Sequence, residues 1–228
     1  MRHFGQRFDL MLAYSYSKSL DQASSISDPV DPFNFRLTRA LSAWDLTHNF
    51  VANYQYQLPL DRISAYAKSL TRSWTISGIT RANMGFPVDI SSDGDNSLTR
   101  SLPNGVNSHS LDRPDYTPGP LNLNHDPRNG LPYFNASLFS ANALWTPGTL
   151  HAAVLRTGMV NFDLALLRSF ALSESKSLQF RLETFNTFNH TQFVGPVAVD
   201  GDFNNSTFGK VVKAAPPRPE QSALKFNF

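Results

Sequence analysis

The chain has 228 residues, of which 41% are hydrophobic, 12% aromatic and only 17% charged. That is enough for one sizeable domain, and a net charge of +2 without any Lys/Arg cluster gives no footing for nucleic-acid binding. The lack of cysteine excludes a disulfide framework and thiolate-bound metals.

The N-terminus does not read as an export signal, because Gln6, Arg7 and Asp9 break its apolar positions. The first predicted strand follows at once. Phe8, Leu10, Leu12, Tyr14 and Tyr16 alternate with Asp9, Met11, Ala13, Ser15 and Ser17. This is the period of two of an extended chain with two unlike faces. From Leu20 to Asp45 the chain is polar and irregular, with Asp28-Pro29 and Asp31-Pro32 as breakers. The second strand is expected from about Leu46 to Leu58, with Phe50, Ala52, Tyr54, Tyr56 and Leu58 on one face, and Pro59 stops it. Leu60 to Arg72 reads as a compact connection with room for one helical turn. The third strand starts at Trp74 and runs to Met84. Gly85 and Pro87 then point to a bulge, after which Val88 to Ser91 is expected to continue extended.

Ser92 to Met159 is long, rich in Asn, Pro, Gly, Ser and Asp, and carries little predicted structure. The fourth strand covers Val160 to Phe170, where Phe162, Leu164 and Leu166 oppose Asn161, Asp163 and Ala165. A polar turn, Ala171 to Lys176, leads into the fifth, where Leu178, Phe180 and Leu182 oppose Gln179, Arg181 and Glu183. Phe188 to Gln221 is another polar loop. The sixth strand, Ser222 to Phe228, carries Leu224, Phe226 and Phe228 on its apolar face.

No run of apolar residues is long enough for a transmembrane helix. Strands, however, cross a bilayer when the sheet closes and so pairs every backbone group. Each predicted strand has one face for lipid and one of small or polar residues. The connections alternate long, short, long, short, long, as the outer loops and periplasmic turns of outer-membrane barrels do. With the C-terminus on the periplasmic side, all three long loops fall outside. The expected fold is therefore all-β, an antiparallel up-and-down transmembrane β-barrel segment. Six strands cannot close, since bacterial single-chain barrels start at about eight. With no export signal in view, the chain is expected to be part of a longer protein.

Particular motifs carry a resemblance. They are Asp45-Leu-Thr-His48-Asn-Phe50-Val, Trp74-Thr-Ile-Ser-Gly78-Ile with Gly85-Phe-Pro87, Asn161-Phe-Asp163-Leu-Ala-Leu, and Arg181-Leu-Glu183-Thr-Phe185-Asn186-Thr-Phe188-Asn189-His190-Thr-Gln-Phe193. Phe208-Gly209, Pro217-Arg218 and the closing strand follow them. Together they resemble the C-terminal barrel of TonB-dependent transporters, in the Oar-like branch whose members often carry a carboxypeptidase-regulatory-like domain. The resemblance covers nearly the whole chain. It implies that residues 1–228 are the C-terminal part of a barrel of about twenty-two strands, with plug and N-terminal domains absent from this sequence. It further implies location in the outer membrane of a Gram-negative-type bacterium and energy-coupled uptake of an unknown substrate. The implied partners are outer-membrane lipid, the remaining strands and plug of a full-length receptor, and the inner-membrane TonB complex. The terminal strand with Leu224, Phe226 and Phe228 would serve as the barrel-assembly signal. Alternatives are a porin- or adhesin-type barrel, or a soluble β-sandwich that binds carbohydrate on exposed aromatics.

Arg181 and Glu183 lie two apart and share the polar face, with Arg81 and Asp163 as further candidates to face the lumen. Plug or substrate contact competes there with a structural ion-pair ladder, which carries the greater weight. His190 has only His151 and His125 as distant neighbours in sequence, so a solvated loop histidine outweighs a metal ligand. Asp200, Asp202 and Asn204 start like a calcium loop, but Asn205 stands in place of Gly and Val211 in place of Glu. No EF-hand is expected, only weak adventitious cation binding. Asp112-Arg113-Pro114-Asp115-Tyr116 and Trp145 in the long loop are of a kind to meet a ligand. No catalytic motif occurs, so the chain is expected not to be an enzyme and to need no cofactor or metal.

Overall fold

A computed structural model describes residues 2–4, 7–25, 28, 31, 34–60, 73–99, 112–123, 127–150, 158–193 and 198–228. The six predicted strands appear as β2 (Phe8–Tyr16), β5 (His48–Gln57), β6 (Trp74–Asn83), β9 (Met159–Ala171), β10 (Ser177–Thr184) and β11 (Glu220–Asn227). A three-residue strand, β1 (Arg2–Phe4), pairs with β2 and is an addition to the expected six. All seven form one antiparallel sheet in the order β1-β2-β5-β6-β9-β10-β11, so each long strand lies beside its neighbour in sequence. Short pairs, β3 (Leu20–Asp21) with β4 (Ala40–Leu41) and β7 (Asp115–Tyr116) with β8 (Phe139–Ser140), decorate the connections. A single helical turn, α1 (Phe35–Thr38), is capped by the Asn34 side chain.

The register carries the apolar stripes across the sheet unbroken. Leu10 faces Tyr54, Tyr54 faces Gly78, Gly78 faces Leu164, and Leu164 faces Thr184. One row over, Ile76, Leu166 and Leu182 lie side by side. A one-residue slip would turn the whole stripe over, so the pattern itself fixes the pairing. This face is not buried by a second layer. Leu12, Tyr14, Tyr16, Leu224 and Phe226 are between 49% and 66% exposed. From Phe8 to Tyr16 the strand advances roughly 26 Å. Tilted as in a barrel, that spans about 20 Å, close to the apolar band of an outer-membrane wall.

Aromatic rings gather at both ends of the stripe. At the end with the short connections, Phe8 meets Tyr56, Trp74 meets Phe180, and Phe226 meets Phe228 at ring separations of 6.0–6.2 Å. At the other end Tyr14 stacks on His48 and Tyr16 meets the same ring at a tilt. Among the described residues no pairing joins β11 to β1, so the sheet has two edges.

The buried core lies elsewhere. The three long connections (residues 17–47, 84–158 and 185–219) leave the same end of the sheet, and their described parts pack into one cap. Its core is Val88, Ile90, Phe134, Phe139, Leu150 and Val199, flanked by Tyr116, Leu121, Phe203 and Phe208. Phe134 is fully buried, with edge-on rings of Phe139 and Phe208 at 5.4 and 5.2 Å. As expected, the described part of 92–159 has little regular structure, holding only β7, β8 and two short 3-10 turns, yet it supplies Phe134, Phe139 and Leu150 of the cap core. Val88 to Ser91 departs from its expected course. Gly85, at φ 74°, turns the chain out of the sheet, and Val88 and Ile90 enter the cap core instead of lengthening the wall. The expected helical turn within Leu60–Arg72 falls at 61–72, outside the described residues.

Candidate functional site

The polar face is built from the residues that alternate with the apolar stripe. The register puts Arg81, Asp163, Arg181 and Glu183 all on it, with Lys225 beside Gln179. Arg181 and Glu183 form an ion pair along β10, the arginine half exposed and the glutamate mostly covered. Asp163 is tied differently: its Oδ1 accepts from Asn161 Nδ2 at 2.8 Å and from the Asn186 backbone N–H at 2.9 Å. It thereby holds the turn after β10, where Asn186 and Asn189 sit at φ 50° and 51°. Arg81 stands apart. It is exposed and makes no hydrogen bond or ion pair among the described residues. The four candidates share a face but do not converge on one point.

The turn after β10 also accounts for His190. Its N–H donates to Asn186 Oδ1 at 3.0 Å, and its carbonyl accepts from Asn186 Nδ2 at 2.8 Å. Its ring lies exposed, 6.0 Å from that of Phe188. His125 and His151 lie outside the described residues. Arg218 closes the same turn by donating to the Thr187 carbonyl at 3.1 Å and pairing with Glu220 at 3.0 Å.

The apolar face holds two polar features that alternation alone did not single out. Tyr54 lies flat over Gly78, where an added Cβ would sit 2.6 Å from the ring, and its hydroxyl accepts from Thr80 Oγ1 at 3.4 Å. A glycine is needed there for that close approach. Arg168 occupies an apolar-face position between Trp74 and Phe180 in register. It is only 4% exposed, and its guanidinium lies 4.0 Å from the Phe170 ring centroid and 5.2 Å from that of Trp74. Aromatic flanks suit a weakly hydrated, planar cation.

In the cap, buried aspartates organise the loops. Asp45, 1% exposed, accepts from the Ser19 N–H and the Thr47 hydroxyl. Asp112, 2% exposed, accepts from the N–H groups of Asn96 and Ser97. Arg113 donates to Asp89 at 3.0 Å and to the Ile90 carbonyl at 2.6 Å, while Asp115 accepts from the Thr149 N–H. The Asp112–Tyr116 run, expected to be of a kind to meet ligand, therefore serves to knit the loops together. Trp145 differs: it is 76% exposed at φ 69°. Tyr133 has a raised pKa because burial disfavours its phenolate.

Asp200 and Asp202 build turns: Asp200 Oδ1 accepts from the Asp202 N–H at 3.0 Å, and Asp202 Oδ1 from the Asn204 N–H at 2.9 Å. Asn204 Oδ1 in turn accepts from the Ser92 hydroxyl and the Asp93 N–H, joining two connections. Desolvation first, then the carboxylates of Asp93 and Asp200, raise the Asp202 pKa above its ordinary value. Among the described residues no three His, Asp or Glu side chains gather in a way that would hold a metal ion, and no helix is long and apolar enough to cross a membrane.

The arrangement is a wall and a lid, with one face for lipid, one for water, and a folded cap at the loop end. Compared with known families, the sequence matches the one described as "Outer membrane beta barrel domain" over residues 1–221. No curated protein and no solved structure matches the chain.

Proposed function

Since the chain belongs to the outer membrane β-barrel domain family, and so to the outer membrane of a Gram-negative-type bacterium, we propose that it forms part of the wall and the outer cap of a TonB-dependent, receptor-type transporter. In that reading the short connections face the periplasm and the cap faces outward. Further strands complete the cylinder, a plug fills its lumen, and the inner-membrane TonB complex supplies the energy. The chain performs no catalysis.

The observation that carries the reading is the mainly apolar face that crosses the sheet from Leu10 to Leu224 with no second layer over it, open to its surroundings at Leu12, Tyr14, Tyr16, Leu224 and Phe226 and backed by a mainly polar face. In water each such exposed Leu or Phe forfeits about 1.5–3 kcal/mol of burial. In lipid it forfeits nothing. The Oar-like motifs support the finer assignment, and the half-exposed Arg181 and free Arg81 give the lumen face charges that a plug can meet.

Two measurements test this. In outer membranes, single cysteines along β10 should react with a membrane-impermeant maleimide at the Gln179 and Arg181 positions and stay silent at Phe180 and Leu182. A uniform pattern overturns the wall. In cells, uptake through the protein should stop when a protonophore collapses the proton gradient or when TonB is deleted. Uptake that continues unchanged would leave a passive barrel of the porin type.

A further inference from the structure

A cleft of about 580 Å³ opens between the three long connections. Its volume lies within the range of small-molecule sites, about 300–1,000 Å³. Trp44 comes from the first connection, Asp89 and Ser91 from the second, and Asp200, Asp202 and Asn205 from the third.

Trp44 is 61% exposed, yet its ring is held in place. Its Nε1 donates to the Ser24 carbonyl at 3.1 Å, and Phe86 meets the ring edge-on at 6.0 Å. An aromatic fixed by its polar atom and one edge presents a rigid face at low entropic cost. The polar groups around it are likewise set in direction. Asp89 is oriented by Arg113 at 3.0 Å, Asp202 by the Asn204 N–H at 2.9 Å, and Asp200 by the Asp202 N–H and the Asn205 amide. A carboxylate offers about four acceptor directions; Asp200 also accepts from the Thr207 hydroxyl and is nearly saturated, whereas Asp89 and Asp202 keep acceptor capacity beyond these bonds.

The choice of ligand follows from those bonds. A metal ion needs several carboxylates converging on one point, and among the described residues no such group exists. A polyol suits the lining better, because its hydroxyls donate to oriented carboxylates and accept from the Asn205 amide and Ser91 hydroxyl. The apolar C–H face of a sugar ring then rests on the indole.

We propose that this cleft is a saccharide-binding site, with Trp44 as the stacking platform and Asp89, Asp202 and Asn205 as the hydroxyl partners. The proposal rests on the receptor reading, of which it names the ligand class. The full chain in detergent micelles is screened on a glycan array, and the best oligosaccharide is titrated calorimetrically. Trp44→Ala should weaken binding by about tenfold or more, whereas Trp145→Ala, on an exposed tryptophan that does not line the cleft, should leave it unchanged. Trp44→Phe keeps a ring and should retain most of the affinity, so it serves if the alanine variant melts early. Failure of every glycan to bind overturns the proposal. So does binding indifferent to both Trp44 variants, or a preference for spermidine or calcium chloride over any sugar. The maleimide pattern is scored separately: an inserted wall without sugar binding defeats this site alone, and sugar binding without the alternating pattern defeats the wall alone.

Discussion

The wall and the cap treat the same amino acids in opposite ways. In the cap, Phe134, Val199 and Ile90 are 0–2% exposed and touch one another. In the wall, Leu12, Leu224 and Phe226 are 49–65% exposed and touch mainly their cross-strand neighbours. Both regions obey one rule, that apolar surface leaves water. The cap sits in water, so its large side chains must find each other. The wall sits in lipid, which already supplies an apolar surrounding, so its side chains need only point outward and the backbone must pair. Two solvents act on one chain, and the exposure of its phenylalanines marks the boundary between them.

The sharpest way to break this contrast is to truncate one large apolar side chain in each region. Phe134→Ala should cost about 3–5 kcal/mol. It should open the cap to protease while the wall keeps its heat-modifiable gel mobility in detergent. Leu12→Ala, on the exposed stripe, should change neither reading. Equal losses from both would mean that the wall has a hidden core after all.

Charge probes the contrast next. Leu182→Arg, near the middle of β10 on the apolar face, should destabilise the folded protein in bilayers by about 2–4 kcal/mol. Gln179→Arg, on the opposite face, should stay within about 0.5 kcal/mol. Urea unfolding from vesicles measures both, and a reversed order would exchange the lipid and water faces.

A smaller effect tests the polar group inside the stripe. Thr80→Val removes the hydroxyl that contacts Tyr54 and should cost about 1 kcal/mol. The cost should shrink when Tyr54→Phe is added, because no buried hydroxyl is then left unmatched. Additive losses would mean that the two hydroxyls do not interact.

The smallest prediction concerns pH and belongs to the cap alone. Asp202 has a raised pKa in the folded state, chiefly from desolvation. Unfolding therefore releases its proton more readily. Its contribution is most favourable below the unfolded value and is lost as pH rises through the folded one. Asp202→Asn keeps an oxygen to accept from Asn204 but carries no charge. At about pH 7 it should raise the melting temperature of the cap by about a degree, the group being mostly solvated. The gain should vanish near pH 4. A gain that grows on acidification would reverse the assigned sign.

The wall was legible in the sequence because its two faces need different residues at every step. Phe8 to Tyr16 and Leu178 to Glu183 state their parity residue by residue, and the observed strands agree with the expected ends to within about two residues. Parity also fixed the shared face of Arg81, Asp163, Arg181 and Glu183. It said nothing of their partners, since Asp163 is engaged by a backbone N–H more than twenty residues on. Arg168 was readable by parity too, two places after Leu166, but the rings that shelter it come from register as well as sequence. The cap was not legible. Its core residues stand singly among Asn, Pro and Gly with no period, and only tertiary contact makes them a cluster. Trp44 and the cleft were invisible for the same reason.

One feature of the cap bears on how the protein is made. The Ser92 hydroxyl reaches Asn204 across 112 positions of chain, and Ser91 bridges to Asp202. Between them lie β9 and β10. Closing a span of that length carries a loop-closure cost, and pairings of such long range slow folding. The speed at which the cap forms is thereby tied to the placing of the hairpin it encloses.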